Sequence, residues 1–186
     1  MSTSYFISHT PAAITPNLPV DQWHLSELGQ QQAAEAATLP WIADVQRFIS
    51  STEPKAIETA RILIGARDLQ LQTDPMLGEN DRASTGYLPK TEFEITSDKF
   101  FSRPEQSVLG WERAIDAQRR IIAAIRRLAA LSSVTTAYVS HGAVGSLLLA
   151  DLLGRPISRR LDQSREGSFY VFDPDSWQAA GGWRAL

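Results

Sequence analysis

Short apolar runs alternate along the chain with stretches of helical period. Tyr5-Phe6-Ile7-Ser8 is an aromatic and β-branched run that reads as a buried strand ending at His9. A long loop follows, marked by Pro11, Pro16, Asn17 and Pro19. Ser26 is placed to cap a helix over 27–38, with Glu27 favourable in its first turn and Pro40 ending it. Gly29 inside that helix gives up about 1 kcal/mol against Ala, which points to close packing there. Residues 45–50 read as a second strand, and Ser51 or Thr52 as the cap of the next helix. That helix carries the stripe Ala56, Ile57, Ala60, Leu63 and Ile64, and Pro54 is tolerated in its first turn. Residues 69–73 form a short third strand.

Residues 74–103, with Gly78, Gly86 and prolines, read as loop with a short helix near 91–100. Trp111, Ile115, Ile122, Ile125 and Leu128 recur at helical spacing and predict a long helix over 111–131. A β-rich run over 134–140 ends at His141, and 142–153 is a helix apolar on nearly all sides, hence buried. Phe169 to Phe172 and residues 177–184 suggest a closing strand pair around the Asp173-Pro174-Asp175 turn. This alternation predicts a three-layer α/β/α sandwich with a mainly parallel central sheet, one domain over 1–186. In such sheets ligands bind outside the carboxyl ends of the strands. Three strands finish there on Ser8-His9, Ser50-Ser51 and Ser140-His141, so two histidines fall at the ligand edge.

Composition narrows the chemistry. The 186 residues include three His and no Cys, which excludes a disulfide framework, a cysteine nucleophile and thiolate metal sites. A metal site would have to combine His9, His24 and His141 with carboxylates. A net charge of −3 and a pI near 5.6 give no case for nucleic acid or an anionic membrane as partner. The N-terminus lacks a basic segment and a long apolar run, and 144–153 is too short to span a bilayer, so a cytoplasmic protein is expected. GxG, GxxxxGK[ST] and GxSxG signatures are missing. What remains is His9, His141, Lys55 and the run Glu79-Asn80-Asp81-Arg82. A strand-end imidazole can act as a nucleophile toward phosphorus, given cationic and N–H donors around the oxygens and an acid for the leaving group.

Four blocks in order carry a resemblance. Ile7-Ser8-His9-Thr10 with Leu25-Ser26-Glu27-Leu28-Gly29-Gln30-Gln31-Gln32-Ala33 is similar to a strand ending in Arg-His-Gly and the helix start after it. Ser51-Thr52-Glu53-Pro54-Lys55-Ala56-Ile57-Glu58-Thr59-Ala60 is similar to a Ser-x-x-x-Arg-Ala-x-Gln-Thr-Ala block. Leu77-Gly78-Glu79 resembles Leu-x-Glu, and Ser140-His141-Gly142 resembles Ser-His-Gly. Together they resemble the histidine phosphatase superfamily, also called phosphoglycerate mutase-like. The resemblance implies that His9 becomes phosphohistidine, that His141 binds the transferring phosphoryl group, and that Glu79 is the general acid and then base. Ser8, Lys55, Arg82 and Gly142 become the expected phosphate-binding residues, with no metal and no cofactor.

Two positions depart from the pattern: Ser8 and Lys55 stand where the family has arginines. Lysine keeps the charge without arginine's bidentate fork, and Ser8 loses the charge entirely. Losing one transition-state donor costs about 2.7–4 kcal/mol, roughly 10²–10³ in rate. Arg82, three residues beyond Glu79, is expected to point into the site as the replacement, ahead of Lys90 and Arg113. Lys55 in a helix first turn opposes the macrodipole, which suggests an anion nearby. His24 is expected at the surface and the arginines of 113–127 on a solvated, carboxylate-paired face. Trp23 and Trp111 flank the site. The expected activity is phosphomonoester hydrolysis on a small phosphorylated molecule, with 74–103 as a lid. The alternative is a catalytically weakened phosphate-ligand binding or regulatory module. A mutase would need more shielding than 74–103 offers.

Overall fold

A computed structural model describes residues 3–186. Its strands are β1 (Ser4–Ser8), β2 (Arg47–Ser50), β3 (Leu71–Thr73), β4 (Thr136–Ser140), β5 (Ser168–Asp173), β6 (Gln178–Ala179) and β7 (Arg184–Ala185). The helices are α1 (Glu27–Ala36), α2 (Pro40–Ala43), α3 (Pro54–Ile64), α4 (Lys90–Ser102), α5 (Ala114–Ala129) and α6 (Gly142–Leu152). The described residues form one sheet in the order β3-β2-β4-β1-β5-β6, with β7 also on β5. The first four of these run parallel, and β5 turns antiparallel beside β1. This is the expected α/β sandwich with a mainly parallel sheet.

Both sheet faces are buried, as parallel strands require. In β1, Phe6 joins one apolar cluster and Ile7 the other; Tyr138 and its neighbours Ala137 and Val139 divide likewise in β4. Helices α5 and α6, with Phe100 and Phe101 of α4, cover the Phe6 side. Helices α1 and α3 cover the Ile7 side through Ala36, Ala56, Ala60 and Leu63.

Several local expectations change. Pro40 opens a helix instead of only ending one, since a first-position proline fits a helix start. Trp41 of that helix stacks on Tyr5 and Phe169 at 4.3 and 4.5 Å between ring centroids, tying it to the sheet. The closing region is a three-strand edge, because β6 and β7 pair opposite ends of β5. Helix α5 starts after Trp111, which is drawn into the core. No helix of the described residues is long and apolar enough to cross a membrane.

Candidate active site

Register alone sets two imidazoles side by side. Ser8 pairs with Ser140 across β1 and β4, and the next residues on each strand are His9 and His141. The His9 N–H donates to Ser140 O at 2.9 Å, and the Ser51 N–H donates to Val139 O at 2.9 Å from β2. The rings of His9 and His141 lie 5.3 Å apart, inclined at 64°. His9 Nδ1 is 2.8 Å from Thr10 O. A carbonyl only accepts, so Nδ1 carries the proton and Nε2 keeps its lone pair. Burial, then His141 and Lys55, pull the His9 pKa down to about 3. Thr59 of α3 accepts from the Thr10 N–H at 3.2 Å, and Gly167 N–H donates to His9 O at 2.8 Å, so the segment is held from two sides.

His141 is fully buried. Its Nε2 lies 2.8 Å from Ser51 Oγ and 3.1 Å from Glu53 Oε1, while Nδ1 has no partner among the described residues. Burial foremost, with Lys55, Arg82 and Arg120, holds its pKa well below the ordinary histidine value. Ser51 therefore serves the imidazole, and Glu53 takes the N-cap position of α3 that was expected for Ser51 or Thr52. A carboxylate there suits the helix dipole.

Glu53 is the anion beside Lys55. Lys55 Nζ donates to Glu53 Oε2 at 2.5 Å and to Val20 O at 2.8 Å, with only 3% of the lysine exposed. Glu53 Oε1 also accepts from the Glu79 N–H at 2.9 Å, joining three candidate residues through one carboxylate.

The Glu79 carboxylate sits over the start of α6. It accepts from the N–H groups of Ala143 at 3.2 Å, Val144 at 3.1 Å and its neighbour Asn80 at 3.1 Å. Burial raises its pKa from the usual carboxyl range, against the opposing pull of Arg82 and these N–H donors. Its loop is clamped from α5: Arg120 donates to the carbonyls of Met76 and Gly78 at 2.9 Å each and of Glu79 at 3.1 Å. Arg120 also pairs with Glu112 at 2.9 Å, and Glu112 accepts from the Asp81 N–H at 3.1 Å.

Ser8 meets Gln163. The Ser8 hydroxyl accepts from the Ser168 N–H at 3.0 Å and donates to Gln163 Oε1 at 2.5 Å. A Cβ on Gly142 would lie 2.2 Å from Gln163 Nε2, so the glycine makes room for this amide. Gln163, Gly142, His9, Glu79 and Arg82 line one cavity of about 240 Å³, together with Trp111, Arg159, Arg165 and Glu166. The Arg82 guanidinium lies 5.0 Å above the Phe93 ring on this wall. Lys90 and Arg113 line neither this cavity nor its neighbour, and Arg113 is held by Asp116 at 2.5 Å. The neighbour, about 670 Å³, runs along 16–21 and 75–87 and shares Glu79, Asn80 and Arg82.

His24 is exposed and bonded to Glu58. Trp23 is buried, its indole N–H held by Thr15 O at 2.9 Å, while Trp111 reaches the His9 cavity. Arg113 at the N-cap of α5 and Arg127 on α5 pair with carboxylates, but Arg120 is a loop clamp rather than part of a solvated face. Ser51, Glu53, Arg120 and Gln163 are the site residues that motif reasoning leaves out. Glu53 stands within the Lys55 block, two residues before a lysine that called for an anion; Gln163 lies in a loop with no pattern. Among the described residues, no group of three or more His, Asp or Glu side chains is placed to hold a metal ion.

Comparison with known proteins gives the family and the fold. The family model for the histidine phosphatase superfamily (branch 1) matches residues 20–180. The match begins after Ser8 and His9, whose position rests on the β1–β4 register above. No curated protein matches the chain. Solved structures of the same fold include a mycobacterial glucosyl-3-phosphoglycerate phosphatase in complex with VO3, at TM-score 0.84 and 20% identity, covering 100% of both chains. Another is YhfR of Bacillus stearothermophilus, at TM-score 0.82 and 22% identity over 96% of this chain and 94% of that one. A third is the phosphoserine phosphatase of Entamoeba histolytica in complex with 3-phosphoglyceric acid, at TM-score 0.79 and 18% identity, covering 100% and 98%.

Proposed function

The chain belongs to the histidine phosphatase superfamily, and on that footing we propose that it hydrolyses a small phosphomonoester through a phosphohistidine on His9. The observation that carries this reading is the His9 imidazole: Nδ1 is held at Thr10 O, and the ring is neutral and lines the cavity that Glu79 also lines. Nε2 attacks phosphorus, the ester P–O bond breaks, and protonated Glu79 gives its proton to the departing oxygen. The Glu79 carboxylate then takes a proton from water; the water oxygen bonds phosphorus, the N–P bond breaks, and His9 returns with inorganic phosphate released. Arg82 and Gly142, which line this cavity, and His141, Lys55 and Ser8, which are buried and do not line it, are the phosphate-binding residues of this reading. The domain is the whole of 1–186, and 74–103 walls both cavities as a lid segment. The fold neighbours named for phosphatase activity on small phosphorylated compounds support the substrate class.

The test is to trap the intermediate. Rapid quenching with a labelled phosphomonoester yields an acid-labile phosphohistidine in the wild type and none in His9→Ala, which also loses turnover. Glu79→Gln lowers kcat by about 10²–10⁴-fold, the range for a lost general acid. Turnover by His9→Ala at the wild-type rate overturns the reading. Chelators leave the rate unchanged.

Ser8 and the Lys55–Glu53 pair favour a second reading, a binding or regulatory module of the same fold. It is the correct one where phosphate raises the melting temperature while no member of a broad phosphomonoester panel is turned over.

A further inference from the structure

The charges around the cavity do not match a doubly charged phosphoryl group. Lys55 is neutralised by Glu53 at 2.5 Å. Arg159 is committed to Glu94, Asp98 and Asp162. Arg165 donates to the Leu186 carbonyl at 2.9 Å. That leaves Arg82 as the cavity-lining guanidinium with no hydrogen-bonded partner among the described residues. At the position of the family's first arginine, the Ser8 hydroxyl has only protein acceptors, Gln163 Oε1 at 2.5 Å and Ser168 O at 3.2 Å, and Gln163 Nε2 faces Gly142 with no acceptor among the described residues. The groups with no hydrogen-bonded partner are thus one cation and one neutral amide donor, and the Arg165 charge, which a carbonyl does not neutralise, shares the cavity wall with the carboxyls of Glu94, Asp162 and Glu166. Four carboxyls line the same space: Glu79 before α4, Glu94 on α4, Asp162 after α6 and Glu166 before β5.

We propose that the Ser8–Gln163 pair makes this a site for a singly charged tetrahedral oxyanion, so that the phosphomonoester is bound as its monoanion, with the Gln163 amide donating where an arginine would match the second charge. A dianion entering a buried site gives up far more hydration than a monoanion, and only matched charge offsets that loss. Arg82 matches one charge. The amide contributes a hydrogen bond without paying for a second. This inference rests on the oxyanion site proposed above, but not on its catalysis.

Perrhenate and tungstate test it, being tetrahedral anions of similar size that differ by one charge. Titration calorimetry on the full chain at mildly alkaline pH is expected to show perrhenate binding the more tightly. Gln163→Leu weakens perrhenate by about three- to tenfold, the worth of one hydrogen bond. Gln163→Lys, which adds the missing cation, reverses the order; melting curves check that both variants fold. Tungstate binding as tightly as perrhenate to the wild type overturns the inference and leaves the phosphatase reading standing. Unchanged perrhenate affinity in a folded Gln163→Leu also overturns it. Binding of neither anion defeats both readings. Perrhenate preference without a trapped phosphohistidine upholds this inference and defeats the catalytic one.

Discussion

At the residue scale, His9 and Glu79 are displaced from their ordinary pKa values in opposite directions, and both shifts suit the proposed roles. A nucleophilic imidazole must be neutral, and a general acid must hold its proton. Burial favours the neutral form of each group. With the His9 pKa at about 3, its protonation removes activity only in strong acid. With the Glu79 pKa raised, its proton persists above the usual carboxyl range and is lost as pH rises through the shifted value. The kcat profile should therefore lack a limb near the ordinary histidine value of 6.5 and fall on the alkaline side. Glu79→Gln should remove that alkaline limb. An acid limb at the ordinary histidine value would mean the nucleophile is not the buried His9. Arg120 acts on Glu79 only through the backbone, as a positioning residue. Arg120→Gln should lower kcat by roughly 10- to 100-fold, the scale of a small misplacement of a reacting group. KM should change little, the alkaline limb should shift, and Arg120→Lys should restore part of the rate. Loss of stability with an unchanged profile would make Arg120 merely structural.

At the element scale, α1 and the loop after His9 are locked together by one glycine. A Cβ on Gly29 would lie 2.1 Å from Pro11 O, a backbone atom that also accepts from the Ser26 N–H and hydroxyl at 2.9 Å each. Replacing Gly by Ala gains about 1 kcal/mol of helix propensity. Overpacking against an immobile backbone costs about 1–3 kcal/mol, and here the obstruction is severe enough for the cost to win. Gly29→Ala should therefore lower both the melting temperature and the phosphate affinity, because Pro11 follows His9 by two residues. Gly182→Ala, with open space around its Cβ, should change neither. A stabilised Gly29→Ala would show that the loop moves freely. The misfit at Gly29 was legible in the sequence, as were the elements and strand ends that carry Ser8, His9, Ser140 and His141, since these follow from periodicity. Glu53 and Gln163 were not. Their importance comes from partners 88 and 155 positions away in the chain, His141 and Ser8, and no local pattern encodes such a pairing. The N-cap of α3 is Glu53 rather than Ser51 or Thr52, and the Ser51 hydroxyl meets both the His141 imidazole and the Glu53 N–H.

At the scale of the molecule, two buried histidines at the edge of the sheet link catalysis to acid stability. Both histidines are held neutral in the folded chain, whereas the unfolded chain protonates them near 6.5. Below that value the unfolded state binds the extra protons, so each histidine removes stability as pH falls, by up to about 1.4 kcal/mol per pH unit. For His9 the loss runs down to about 3. Glu79, Asp162 and Glu166 have the opposite sign: their raised values mean the folded state holds protons that the unfolded state has shed. Their contribution is full in acid and lost as pH rises through the shifted values. The two sets oppose each other in weak acid. Removing one side should expose the other. His9→Gln should become more stable relative to the wild type as pH falls below 6.5, and Glu166→Gln should lose its part of the opposing effect. Melting curves across that range check both signs. Parallel curves for His9→Gln and the wild type would mean that the His9 imidazole takes up its proton in the folded state and is not sealed from water.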